Sequence, residues 1–270
     1  MNADEISGIA DAFVHARRTA CILDAYPGKI PESLDDGYRI QDAAIALWQD
    51  TIGGWKVGQI RVEHRARFGS DRILGPLFRQ HIFECTDSSG PEMPLFEGGF
   101  AVIEAEYIAV LGDNVPPGKA EWTLDESMDA IADLRLGIET AGSPLPALNK
   151  RGAAAVVSDF GAHGGLVVGG SIDGWRERDL DSLECEAFIN EKSVGRGGPR
   201  NLNDGVARSV QAILQATHQR GHPLTPGSLI TTGATTGVHA ARPGDQIRVD
   251  FGGDGSVACT ITAATPEEEG

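Results

Sequence analysis

No stretch of this chain is apolar for long enough to cross a bilayer, so a membrane-spanning helix is not expected. The opening residues, Met-Asn-Ala-Asp-Glu-Ile, have neither the basic start nor the apolar run of a secretory leader. A cytoplasmic protein is the expectation. Cysteine is scarce and scattered: Cys21, Cys85, Cys185 and Cys259 form no Cys-x-x-Cys pair, which fits reduced thiols and not a zinc ribbon or a disulfide framework. Positive charge is also in short supply, with 23 Lys and Arg against 39 Asp and Glu and a formal net charge of -16. Such a field disfavours nucleic acid and anionic membranes as partners. An anionic small molecule would have to be met by a local cation, either a metal or a Lys/Arg. The glycine-rich run from Val156 to Leu166 lacks the lysine of a phosphate-binding loop and the spacing of a dinucleotide fingerprint. No internal repeat is present.

The 270 residues can bury a sizeable core, and the 35 glycines suggest tight turns between short strands. Residues 4–24 read as an amphipathic helix with Ile6, Ile9, Ala10, Phe13 and Cys21 on one stripe. A second helix starts near Ser33 or Asp35 and ends at Gly53-Gly54. A helical N-terminal lobe is therefore expected over residues 1–80. A β-rich catalytic domain is expected over 81–265, with an acidic tail over 266–270. Trp55-Lys56-Val57 between glycines reads as a strand, with Lys56 opposite its apolar neighbours. That lysine is either a surface residue or the local positive charge of a site. Residues 64–80, with Arg65, Arg67, Arg72 and Arg79 broken by Gly75-Pro76, read as a basic loop that is either solvated or able to close on a carboxylate.

Val102 to Val110 carries the strongest signal. Its alternation puts Glu104 and Glu106 on one side of a strand and Ile103, Ala105, Tyr107 and Ala109 on the other. Two carboxylates about 6.6 Å apart along a strand repel, and either a shared proton or a cation relieves this. An oxygen-only donor set suits Mg²⁺ or Mn²⁺. The alternative is an amphipathic strand with a wet acidic face. Further on, Thr123-Leu-Asp-Glu126 is a capping box opening a helix, and Glu139 follows apolar residues in a short strand. Asp159 is a candidate acid for substrate or water. A helix runs from Asn203 to about Arg220, and the rest reads as β.

Several motifs occur in a fixed order: Gly54-Trp-Lys-Val-Gly58, Gly75-Pro-Leu-Phe78, Glu104-Ala-Glu106, Gly137-Ile-Glu139, Thr232-Gly-Ala-Thr-Thr-Gly237, Pro243-Gly-Asp245 and Gly255-Ser-Val257. Together they resemble the fumarylacetoacetate hydrolase superfamily, over about residues 50–263. The nearest branch in pattern is that of the 2-keto-4-pentenoate hydratases, which includes 4-oxalocrotonate decarboxylases. The resemblance implies an α+β fold, a mixed β-roll or distorted β-sandwich with a helical N-terminal lobe, and a homo-oligomer. It implies a divalent metal, Mg²⁺ or Mn²⁺, on Glu104, Glu106 and Glu139, with Lys56 at the active site. It further implies a lyase adding water to a 2-hydroxy-2,4-dienoate through a metal-chelated 2-oxo acid. Decarboxylation of a 4-oxalocrotonate-like acid ranks second, acylpyruvate C–C hydrolysis third, and an inactive 2-oxo acid binder is the non-enzymatic alternative. Hydrolysis in this superfamily often uses a Glu-His pair, and neither His64 nor His81 lies in a matching context.

The chain departs from the family pattern at three places. Asp71 alone stands where a second acid precedes Gly-Pro-Leu-Phe, Gly142-Ser143 replaces an Asp-Ser pair, and Ser158-Asp159-Phe160 replaces an Ala-Asp-Asn-type element. Asp159, Ser143 and Asp71 are the expected proton- or water-handling residues beside Lys56. Arg72, Leu74 and Thr235 are the expected substrate contacts.

Overall fold

The structure is a computed structural model that describes residues 1–85 and 89–267. Residues 268–270 of the expected acidic tail lie outside the described residues.

The chain opens with helix α1 (Ala3–Arg18), started by an Asn2–Glu5 capping box. It stops earlier than its apolar stripe suggests because Ala20 takes a left-handed conformation that a helix cannot continue. Helix α2 (Leu34–Leu47) is capped by the Ser33 hydroxyl. Then come strand β1 (Ile52–Gln59), helix α3 (Val62–Phe68), β2 (Arg72–Phe78), β3 (Ile82–Glu84), β4 (Glu92–Leu95) and β5 (Phe100–Leu111). Helix α4 (Leu124–Asp129) begins at the Thr123–Glu126 capping box. Strand β6 (Ile131–Ser143), helix α5 (Ala153–Ser158), β7 (His163–Ser171), β8 (Cys185–Ile189) and β9 (Lys192–Gly197) follow. Helix α6 (Gly205–Gln219), β10 (Leu229–Thr231), β11 (Val238–Ala240), β12 (Gln246–Asp250) and β13 (Ser256–Ala263) complete the chain. None of the helices in the described residues is long and apolar enough to cross a membrane.

Two sheets organise these elements. The larger has the order β2-β1-β10-β5-β6-β7-β3, and β11 adds to β5 beside β10; the smaller has the order β4-β13-β12-β8-β9. The architecture is mixed α+β, as expected. The expected helical lobe over 1–80 is shorter, however. β1 and β2 are hydrogen-bonded members of the large sheet, so the helical part gives way to sheet at Ile52. The basic "loop" of 64–80 is instead helix α3 followed by a fully buried strand. Gly75-Pro76 sits inside that strand without penalty because β2 is an edge strand, where a missing N–H donor is tolerated.

The large sheet is covered differently on its two faces. One face packs on the small sheet and α6, burying Trp55, Val57, Ile103, Ala105, Tyr107, Leu136 and Ile138 with Val210, Ile213, Val249, Val257 and Ile261. On the other face, α1, α2 and α5 cover one end, packing Phe13, Ile40 and Val157 with Ile73, Phe78, Val102 and Ala141. Farther along that face, Leu77, Ile108, Leu166 and Val168 form a smaller apolar cluster. The polar residues described next lie between these two clusters.

Candidate active site

β5 and β6 pair antiparallel with Glu104 directly opposite Glu139 and Glu106 opposite Gly137. Directly opposed residues share a face, so three carboxylates gather there from two strands. Gly137 gives Glu106 a neighbour without a side chain. A Cβ placed there would stand 2.2 Å from the Ile108 side chain, so a larger residue would require that side chain to shift. Lys56 arrives from β1, and its ammonium ion-pairs with Glu139 Oε1. Lys56 is 5% exposed, Glu106 and Glu139 are fully buried, and Glu104 is half-buried at the open side.

The partners of β5 bring further polar groups to the cluster. β10 pairs with residues 108–110 and β11 with residues 102–104, so neither ladder covers the middle of the strand. Between them the segment 232–237 bulges away. Thr232 and Thr235 keep it tied down, donating N–H bonds to the Tyr107 and Ala105 carbonyls and adding their hydroxyls at 2.8 Å each. The bulge aims the Gly233 N–H at Glu106 Oε2, 2.6 Å away, and the Thr231 hydroxyl donates to Glu139 Oε2 at 2.9 Å. Thr231 and the Gly233 amide were not among the expected site groups. Thr231 was hidden because only the pairing of β10 brings it beside Glu139.

Crowding like charges in a dry site has a predictable effect. Burial, then the charge of Glu139, lifts Glu104 to about 7 against the pull of Lys56. Burial and the charges of Glu139 and Glu104 push Glu106 well above the ordinary carboxylate range. Burial draws Lys56 down, but Glu139, Glu104 and Glu106 outweigh it and leave its pKa above the usual lysine value. The lysine is therefore a fixed positive charge.

Among the described residues, no three His, Cys, Asp or Glu side chains already converge as a metal cage. Glu139 is turned to Lys56 instead. The donor set nevertheless fits a hard divalent ion. Glu106 Oε1 is buried with no hydrogen-bond partner, and the three carboxylates supply oxygen alone.

The other expected site residues are distributed unevenly. Asp159 is fully buried beneath the same face, with Oδ1 on Arg17 Nε at 2.5 Å and Oδ2 without a partner. Ser143 lies four residues beyond Glu139 along β6, and its hydroxyl accepts from the Leu145 N–H at 3.0 Å, which closes a turn. Asp71 is engaged by Arg72, by Asn203 at 3.2 Å and by Arg208 at 3.5 Å. The side chains of Arg72 and Leu74 are corrected by register. Gly75 is paired with Lys56, Leu74 with Val57 and Arg72 with Gln59, so both side chains lie on the face away from the glutamates. The Arg72 guanidinium is bound to Asp71 and to the Asn203 carbonyl. Thr235 uses its hydroxyl on the Ala105 carbonyl and the Cys185 thiol, which anchors the bulge. His64 is exposed on α3, while the His81 and His163 rings meet edge to face and burial lowers the pKa of both.

Comparison with known proteins bears on the family and the fold. The family model described as fumarylacetoacetate hydrolase C-terminal matches residues 92–262. A 4-oxalocrotonate decarboxylase from a Pseudomonas species is 29% identical over 212 residues, covering 77% of this chain and 78% of that protein. A 2-keto-4-pentenoate hydratase from Paraburkholderia xenovorans is 26% identical over 249 residues, covering 88% and 86%. The solved structure of a 4-oxalocrotonate decarboxylase from Pseudomonas putida G7, complexed with calcium and acetate, superposes with a TM-score of 0.78 at 21% identity, covering 97% of this chain and 98% of that one.

Proposed function

We propose that this chain, which belongs to the fumarylacetoacetate hydrolase family, is a divalent-metal-dependent lyase that adds water to a 2-hydroxy-2,4-dienoate acid. The observation that carries the reading is the buried face where Glu104, Glu106, Glu139 and Lys56 meet, with one Glu106 oxygen left without a partner. A structural acidic face would be wet and would not bury two carboxylates beside a lysine, because an unpaired buried charge is costly.

Glu104, Glu106 and Glu139 would hold Mg²⁺ or Mn²⁺. Such an ion supplies Lewis-acid stabilisation of negative charge on the C2 oxygen of a 2-oxo acid. Lys56 supplies the fixed positive charge that an anion needs in a protein of net charge -16. Its ion pair with Glu139 supports electrostatic binding of the substrate carboxylate as its role. Gly233 N–H and the Thr231 hydroxyl fix the two inner carboxylates. The unpartnered Oδ2 of Asp159 is the candidate for holding water or moving a proton. Two similar proteins named above, a hydratase and a decarboxylase, support lyase chemistry at a 2-oxo acid.

Decarboxylation is the second reading, favoured by one observation. Ser143 and Asp71, two of the three residues expected to handle water, are engaged in structural hydrogen bonds. Loss of CO₂ needs an electron sink and one proton donor, and asks for no activated water. The test is turnover of a panel of 2-hydroxydienoic and 2-oxo acids with Mg²⁺, with products identified by mass spectrometry. A product heavier by one water supports the hydratase reading. Loss of CO₂ replaces it with the second reading. No product from any acid, with Mg²⁺ still bound, leaves a binder and ends the enzymatic proposal.

A further inference from the structure

We infer that Arg17, at the end of the first helix, is a positioning residue for the active site. It would act through the turn Asp159 to Ala162 that roofs the Lys56 side of the sheet. The inference rests on the lyase reading above and extends it to a residue 39 positions before Lys56.

Arg17 is a surface-type residue that is almost fully buried, with its side chain 6% exposed. Its guanidinium reaches four acceptors that belong to three separate segments. Nε donates to Asp159 Oδ1 at 2.5 Å, and Nη1 donates to the His163 carbonyl at 2.8 Å. Nη2 donates to the Gly142 carbonyl at 2.9 Å and to the Asp159 carbonyl at 3.4 Å. The group also lies over the rings of Phe160 and Phe96. One planar fork thus ties the end of β6, the start of β7 and the turn between α5 and β7. A lysine has no such fork.

The turn it holds is one that the chain would not adopt unaided. Phe160, Gly161 and Ala162 have φ of 52°, 64° and 61°, three consecutive left-handed residues of which only one is glycine. The turn meets the sheet at Gly75, the residue paired with Lys56. A Cβ on Gly75 would point to the Lys56 side and lie 2.2 Å from the Phe160 carbonyl oxygen. The backbone of the turn therefore rests on the rung that carries the lysine. Asp159 opens this turn with one carboxylate oxygen on Arg17 and the other buried and unpartnered. Fixing Oδ1 fixes the direction of Oδ2. Arg17 thereby sets both the roof over Lys56 and the aim of the acid that handles water or a proton.

The test compares wild-type enzyme with Arg17→Ala and Arg17→Lys, all loaded with Mg²⁺, on the acid the wild type turns over. The expected result for Arg17→Ala is a kcat lower by about 100-fold, the scale of a 1 Å misplacement of a reacting group. KM and Mg²⁺ affinity should stay within about threefold of wild type. Millimolar guanidinium should restore kcat to Arg17→Ala, and Arg17→Lys should remain impaired. Amide exchange should quicken only over residues 159–165. A wild-type kcat in folded Arg17→Ala overturns the inference. So does a loss that guanidinium does not restore and that comes with faster exchange throughout the N-terminal helices. If Arg17→Ala does not fold, Asp159→Asn decides: a similar fall in kcat at near-constant KM supports the inference, and wild-type kcat overturns it. If the wild type turns over none of the acids, the lyase reading falls separately, and the exchange measurement still decides whether Arg17 holds the turn.

Discussion

The two faces of strand β5 follow opposite rules. Toward the small sheet, Ile103, Ala105, Tyr107 and Ala109 are buried among apolar neighbours. Toward the helical side, Glu104 and Glu106 stand beside Glu139 and Lys56, with apolar clusters at either end. The backbone is the same for both faces, since alternate residues of one strand supply them. The apolar face stabilises the fold by removing surface from water. The other face costs stability, because it buries carboxylates that raise one another's pKa. A strand that keeps such a cost is more simply explained by chemistry than by packing, and the contrast can be broken experimentally from either side.

The largest effect is expected from the acidic face. Glu106→Gln and Glu139→Gln should each abolish tight Mg²⁺ binding and lower kcat/KM on the order of 10³-fold. Calorimetric titration and steady-state kinetics measure the two quantities. Retained affinity and turnover in either variant would remove that residue from the ligand set. Lys56→Met comes next. It leaves Glu139 buried without its partner, so the metal-free protein should lose about 3 kcal/mol in denaturant unfolding, and turnover should fall about 100-fold or more. Added Mg²⁺ should recover much of the lost stability, since the ion replaces the missing positive charge. From the apolar face, Ile103→Ala should cost about 2–5 kcal/mol of stability while Mg²⁺ stoichiometry stays unchanged. A change in metal binding there would mean that the two faces are not independent.

The smallest effect is pH dependence. Glu104 is raised to about 7 and Glu106 is raised well above the ordinary carboxylate value, so both hold protons that a cation must displace. Affinity for Mg²⁺ should therefore strengthen as pH rises toward and past 7, by at most about tenfold per unit for each proton released. The sign for the metal-free fold is the reverse. Raised folded-state pKa values mean that the native state binds more protons than the unfolded chain, so these glutamates lower stability as pH rises from the ordinary carboxylate range through about 7. The gain in Tm on adding Mg²⁺ should thus be larger at pH 8 than at pH 6. An equal gain at both would contradict the protonated, crowded site.

Much of this comparison was legible in the sequence, and its limits have physical causes. The alternation of Val102 to Val110 is local and strict, so both faces of β5 could be read directly. The capping box read at Thr123–Glu126 opens its helix in the structure. The 64–80 segment misled because Gly75-Pro76 reads as a break, and only the sheet order shows β2 to be an edge strand that accepts it. The same segment carries Arg72 and Leu74, whose face could not be read before its strand was recognised. Thr231 and the Gly233 amide depend on where β10 leaves the ladder. Arg17 depends on contacts 125 to 146 residues away, which no local pattern encodes.

The most direct measurement is the position of Mn²⁺ in crystals of the protein, located by its anomalous scattering. A single ion with oxygen ligands from Glu104, Glu106 and Glu139, and with Lys56 drawn off Glu139, is the predicted result. Crystals that carry no ion on this face, or that hold one with Glu139 still paired to Lys56, would contradict the account.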